Sequence, residues 1–274
     1  MPLNSVNTNA SAIIALQSLN KTNEQLAAVQ NRVSTGLRVA DAKTDGAAFA
    51  VAQGLRGDVK GYEAIGEQLS KAKGVMAVAN DVSRSISETL ASIRSVMIKL
   101  ADDNVTGNQR TEYAADYTAL KTEITNFINN ASFGGSNLLN TTTAVNIISN
   151  LTGGSMTLTA FNLATDVSAN LTAVTTATLA RAMLTASGGL TTAEAYIGLT
   201  MASLGADTRA LDNRISFIGL LSDSTEQGIG AIVDADLAKE SAKLQSLQVR
   251  QQLGAQTLNI ANQSPNVLLS LFRT

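Results

Sequence analysis

The sequence predicts a mainly α fold: long antiparallel helical hairpins in a coiled-coil bundle, with paired terminal helices and a small β-containing insert. Three observations predict it. The only prolines are Pro2 and Pro265, so the strongest helix breaker is missing from everything between them. Apolar residues recur at spacings of three and four in several long stretches, the period of a helix with one buried face. The chain of 274 residues holds six Phe, four Tyr and no Trp, so small and aliphatic side chains must do the packing. That favours long paired helices over a bulky globular core.

The first helix is expected from about Asn4 to Thr35, roughly 45 Å at 1.5 Å per residue. Ala12, Leu19, Leu26 and Val33 fall seven apart, with Ala15, Thr22 and Val29 at the coiled-coil offset between them. The surround is Asn, Gln, Ser and Thr, and the first charge is Lys21. Gly36 suits the left-handed stop of a helix. Leu37 to Gly46, with Arg38, Asp41, Lys43 and Asp45, reads as an ordered connector. A second helix begins near Ala47. Its face carries Val75, Ala79, Val82, Ile86, Leu90, Ile93, Met97 and Leu100. Gly57 and Gly61 form a small-xxx-small pair, read as close helix packing rather than a phosphate loop. Asp102 to Asn108 is a turn. A third helix carries Tyr113, Tyr117, Leu120, Ile124, Phe127 and Ala131, ends at Phe133-Gly134-Gly135, and makes an αα-hairpin with the second.

From about residue 140 to 190 Thr, Asn, Ser and Ala dominate and charges nearly vanish. Met156, Leu158 and Ala160 alternate with Ser155, Thr157 and Thr159, which predicts a short strand in a small insert. Helix resumes at Thr191, where Thr191 and Glu194 fit a capping box. Ile197, Met201, Leu204, Leu211, Ile215 and Ile218 continue a stripe interrupted by Thr208. Ser222 to Gly230 reads as a flexible joint, and Asp234 or Asp236 as the cap of a final helix. That helix carries Leu237, Leu244, Leu247, Leu253, Ile260 and Val267. From Gln251 to Phe272 it contains no charge, and Met1 to Asn20 contains none either. Burying unpaired charge is expensive, so charge-free ends suit surfaces packed against several copies of the chain.

A formal charge of -2 argues against a strongly basic nucleic-acid binder or a polycationic membrane anchor. No window approaches 18 apolar residues, so no membrane insertion is expected. No basic region followed by an apolar run marks a cleaved secretory signal. With no His and no Cys, the commonest zinc sites, thiol nucleophiles and imidazole chemistry are excluded. Neither a cofactor nor a metal is expected. Asp102-Asp103 and Asp234 with Asp236 are the acidic pairs that catalysis would need, but both sit at predicted helix ends, where capping and dipole effects account for them. A signalling coiled coil would carry charge pairs to its ends, unlike this chain.

The segment from Arg32 through Gly36, Leu37, Arg38 and Val39 to Ala50 resembles the signature that follows the first helix of bacterial flagellins. Asn7-Thr8-Asn9 and the Leu16 to Leu26 spacing fit the same pattern. So do Phe133-Gly134-Gly135 with Leu138-Leu139, Leu204-Gly205-Ala206 through Asn213-Arg214-Ile215, Asp234-Ala235-Asp236 with Glu240, and the ending from Asn262 to Arg273. The resemblance covers about 1–139 and 204–273, not the insert. Ala40, Thr44 and Ala231 depart from the family pattern, and Ser95 replaces the Glu beside Arg94 in the segment that an innate immune receptor contacts in some flagellins.

The resemblance implies a subunit that polymerises into the flagellar filament for swimming, with a hook-filament junction protein as the nearest alternative. It implies a division into 1–36 plus 231–274 as inner-core terminal helices, 37–139 plus 191–230 as a helical rod, and 140–190 as a variable surface insert. Inter-subunit contacts are expected from Ala12, Leu16, Leu19, Leu26, Val33, Leu253, Leu258, Ile260, Val267 and Leu268. Arg32, Gly36, Leu37 and Arg38 form the connector motif. The expected partners are other copies of the chain, the flagellar export apparatus, an export chaperone, and the junction and cap proteins. The expected location is the extracellular filament. Because a bare helix is marginal alone, both termini are expected to order only on assembly.

Overall fold

The structure, a computed structural model of the chain, describes residues 9–271, with side chains described to residue 263. In chain order the elements are α1 (Ala10–Thr35), α2 (Gly46–Leu100), α3 (Gly107–Asn130), β1 (Ser132–Phe133), β2 (Ser136–Asn137), β3 (Val145–Ile148), β4 (Ser155–Leu158), α4 (Leu163–Asp166), α5 (Ala177–Met183), α6 (Gly189–Val233) and α7 (Leu237–Leu271). The fold is mainly α, as the periodicity predicts. The chain divides into two compact units, one comprising residues up to Gly57 and from Ser224, the other Asp58–Asp223.

In the Asp58–Asp223 unit the predicted stripes become the core. From α2, Ala79, Ile86, Leu90, Ile93, Met97 and Leu100 are each at most 1% exposed. They meet Tyr117, Ile124 and Ile128 of α3 and Leu190, Ile197, Leu204 and Leu211 of α6 in one continuous cluster. Arg110 closes the α2–α3 turn by donating to Leu100 O and Asp102 O, both at 2.9 Å, which satisfies carbonyls orphaned at the helix end. Thr208, the break in the α6 stripe, accepts from Asn80 Nδ2 at 3.1 Å. A polar pair thus crosses where the apolar pattern lapses.

Several expectations are corrected here. The segment 133–135 does not simply end α3. β1 and β2 pair antiparallel about Gly134 (φ 57) and Gly135 (φ 84), a two-residue turn that needs left-handed backbone twice. The strand predicted at 155–160 is β4, which stops at Leu158 and pairs with β3 in register Val145 to Leu158. The insert is not confined to the surface: Leu158, Leu163, Val167, Leu171, Val174, Ala180 and Met183 join the core of α2, α3 and α6. Its low charge let these aliphatics bury, which a composition of Thr and Asn conceals.

The capping box at Thr191 does not form, because α6 already begins at Gly189 and Glu194 is bound to Arg94 instead. No joint interrupts 222–230 either. α6 runs unbroken to Val233, with Ile229 and Val233 buried, so packing outweighs the weak propensity of Gly228 and Gly230.

Candidate functional site

The region with the most unusual construction is the pair α1 and α7. Asn9 caps α1 by accepting from Ala12 N at 3.0 Å. The expected stretch before Asn9 lies outside the described residues. The seam of α1 is the one the heptads give: Leu26 and Val29 are buried, while Ala12, Ala15, Leu19, Thr22 and Val33 are half-buried. Leu26 and Val29 pack with Leu247, flanked by Val33 and Leu244.

The seam of α7 differs from expectation. Its covered face is Leu244, Leu247, Gln251, Gly254, Leu258 and Ala261, which alternate at spacings of three and four. Gln251 Nε2 donates to Asn23 Oδ1 at 2.8 Å, and Asn9 Nδ2 donates to Ala261 O at 2.6 Å. A Cβ on Gly254 would stand 3.2 Å from Leu19 Cδ1, so the glycine lets the helices approach. Because the true seam includes a Gln and a Gly, counting apolar residues alone misplaces it.

The residues expected to bind other subunits therefore separate into two sets. Ala12, Leu19, Leu26, Val33 and Leu258 face the seam inside one chain. Leu16, Leu253 and Ile260 stand outside it, 47%, 55% and 70% exposed. Sequence reasoning missed further exposed aliphatics on these helices, among them Ile13, Ile14 and Val249. Their signal was present as apolar residues off the heptad positions. The side chains of Val267 and Leu268 lie outside those described.

The connector motif ties the two helices at one end. Gly36 takes φ 72 and donates to Arg32 O at 2.9 Å, closing α1 in the left-handed form that glycine tolerates. Leu37 bridges to Asp234. Arg38 N and Val39 N both donate to Val233 O, Ala235 N donates to Gly36 O, and the Arg38 guanidinium donates to Ile232 O. Arg32 Nη1 lies 3.5 Å from Glu240 Oε1 in the first turn of α7. The motif thus functions as a backbone clasp between the segments entering α2 and leaving α6.

Asp236 caps α7 through Lys239 N at 3.0 Å, and Asp45 caps α2 through Ala48 N at 3.0 Å. Asp41 accepts from the Thr44 hydroxyl and the Thr44 amide, which hold its carboxyl below the usual range. Thr44, a departure from the family pattern, thus has a local role. The acidic pairs are occupied in the same way: Asp102 accepts from Asn104, and Asp103 pairs with Arg181. Among the described residues no three acidic side chains gather as a metal site would require, and no helix is long and apolar enough to cross a membrane. Arg94 makes a two-point pair with Glu194, which raises its already high pKa.

Comparison with known proteins agrees with this construction. Residues 6–144 match the model for the bacterial flagellin N-terminal helical region, and 188–272 match that for the C-terminal helical region. The unmatched part, 145–187, contains the β3–β4 hairpin and the short helices after it. Flagellin FljM of Caulobacter vibrioides is 39% identical over 274 residues, covering 100% of both chains. A flagellin of Brucella melitensis is 35% identical over 281 residues, covering 98% of this chain and 99% of its own. In fold, the crystal structure of Bacillus cereus flagellin aligns with a TM-score of 0.51 at 23% identity, covering 55% of this chain and 88% of that one. With family matches over well more than half its length, the chain belongs to the bacterial flagellins, a family of structural subunits of the flagellar filament.

Proposed function

We propose that α1 and α7 form the inner tube of the filament, with the faces outside their shared seam buried by neighbouring subunits. The observation that carries this reading is the stranded apolar surface on two helices that carry no charge before Lys21 or between Gln251 and Phe272. Ile13, Ile14 and Leu16 on α1, and Val249, Leu253 and Ile260 on α7, are each at least 47% exposed in the single chain. One seam between two helices cannot cover more than one stripe of each. A helical polymer, whose head-to-tail contacts do not close, supplies neighbours on the other sides.

On the same reading the rod is formed by the helical remainder together with the buried aliphatics of the insert, whose exposed face lies outward. The proposed route is export through the flagellar apparatus with a chaperone and without cleavage of a signal peptide, followed by extracellular assembly beneath a cap and beyond the junction proteins. Arg94 is engaged by Glu194, and with Ser95 beside it we assign it no receptor contact. No feature of the chain favours the junction-protein alternative.

Seeded polymerisation followed by electron microscopy tests the proposal. Ile14→Ser with Ile260→Ser should leave the monomer's helix content nearly unchanged and abolish elongation from seeds. Filaments growing at the unmodified rate would refute an inter-subunit role for these faces.

A further inference from the structure

Two charged features, opposite in sign, have no ion-pair partner among the described residues. One is a face of α7. Lys243, Ser246, Arg250 and Leu253 follow at spacings of three, four and three, so they share one stripe of the helix. All four are exposed, Leu253 by 55%. Neither cation has an ion-pair partner among the described residues. The other feature is a groove of about 300 Å3 between α2 and α6, floored by Tyr62, Ile215 and Ile218 and edged by Glu63 and Asp223. Neither carboxylate has an ion-pair partner among the described residues.

The groove has a second property. Gly66 and Gly219 line it from the two helices, and a Cβ built on either would meet nothing within 4 Å. Glycine inside a helix costs about 0.5–1 kcal/mol relative to alanine. At Gly61, Gly74 and Gly189 another part of the chain approaches closely and accounts for the glycine. At Gly66 and Gly219, as at Gly54, Gly57, Gly198 and Gly228, no described residue does. A surface left low on both walls, with an apolar floor and acidic rims, has the form that receives an amphipathic helix carrying cations beside an apolar anchor.

We propose that the occupant is a second copy of this chain: the α7 stripe Lys243, Ser246, Arg250 and Leu253 of one subunit seats in the Glu63, Gly66, Gly219 and Asp223 groove of another. This rests on the filament reading above and specifies one contact within it. Leu253 supplies the apolar anchor, the two glycines give the helix room, and the paired charges set its register. Rim charges act more on association rate and register than on total affinity, so the effect appears as slower, salt-sensitive elongation.

The test uses full-length monomer added to filament seeds. Lys243→Glu with Arg250→Glu should slow elongation at least tenfold at low salt, as should Glu63→Lys with Asp223→Lys. The four changes combined in one chain restore every opposite-sign contact and should recover most of the rate. Gly66→Leu with Gly219→Leu should also block elongation, while circular dichroism shows monomer helix content equal to or above that of the unmodified chain. If the unmodified protein itself fails to elongate, the filament reading fails. If it elongates but the two double reversals keep its rate, or slow it without rescue in the fourfold variant, the α7-in-groove contact is overturned.

Discussion

Tyr117 illustrates how a single side chain is fixed by what it displaces. It is 2% exposed, its hydroxyl donates to Thr172 O at 2.7 Å, and burial raises its pKa to about 12. An unfolded tyrosine ionises near pH 10, so between about pH 10 and pH 12 the unfolded chain releases a proton that the folded chain keeps. The contribution is fully present below pH 10 and is lost as pH rises toward 12, by about 2–3 kcal/mol in all. Urea titrations at pH 9 and pH 11.5 should show this loss. Tyr117→Phe should reduce it markedly and cost about 1–2 kcal/mol at neutral pH, since Thr172 O is then left unpaired.

Glycines separate at the same scale. A Cβ at Gly189 would lie 2.0 Å from the Asn170 carbonyl oxygen, a backbone atom that cannot turn aside. At Gly57 there is open space. Gly189→Ala should therefore destabilise the Asp58–Asp223 unit by about 1–3 kcal/mol or more. Gly57→Ala should stabilise its helix by about 0.5–1 kcal/mol. Thermal unfolding of the two variants beside the parent chain checks both signs. Nothing in the sequence distinguishes these glycines, because only the fold brings Asn170 against Gly189 and leaves Gly57 open.

Among the elements, legibility followed how much of a helix face is buried. The stripe of α2 from Val75 to Leu100 could be read from its spacing, because eight aliphatics on one face leave one solution, although Leu69, Met76 and Ile128 are buried beyond the predicted stripes. The α1 seam was equally plain. α7 was harder, because Gln251 and Gly254 occupy seam positions while Leu253 and Ile260 stand outside. The insert was the least legible. Leu163, Val167 and Leu171 recur every four residues, yet they lie in a short helix, a turn and an irregular link rather than one long helix. Only the surrounding core shows where they go.

The thin seam of α1 and α7 gives a prediction at this scale. Leu26, Val29 and Leu247 are its buried aliphatics, whereas the Asp58–Asp223 unit has a core about ten times as populous in buried residues. Leu247→Ala should remove about 2–4 kcal/mol from the pairing of the two helices. It should lower an early unfolding transition, followed by helix signal on heating, and leave the later transition of the other unit in place. Coincident loss of both transitions would show that the units do not melt separately.

For the whole molecule, the distribution of apolar surface matters more than its amount. One unit closes its core within the chain. The other pairs its helices along a single stripe, clasps them at the Gly36 turn, and leaves aliphatic faces open on both. Under the proposed function, the charge-free termini and the exposed Ile14 and Ile260 belong to one device, and neighbouring subunits would complete its core. The family matches to the N-terminal and C-terminal helical regions cover nearly all of this unit and, apart from 145–187, the whole of the Asp58–Asp223 unit.

Amide hydrogen exchange on monomer and filament tests this claim most directly. In the monomer, amides of 10–35 and 237–271 should exchange much faster than those of α2 and α3 near Ile86, Leu90 and Ile124. In the filament the terminal helices should become at least as protected as that core. Strong protection of both terminal helices in the monomer, or none gained on assembly, would contradict the account.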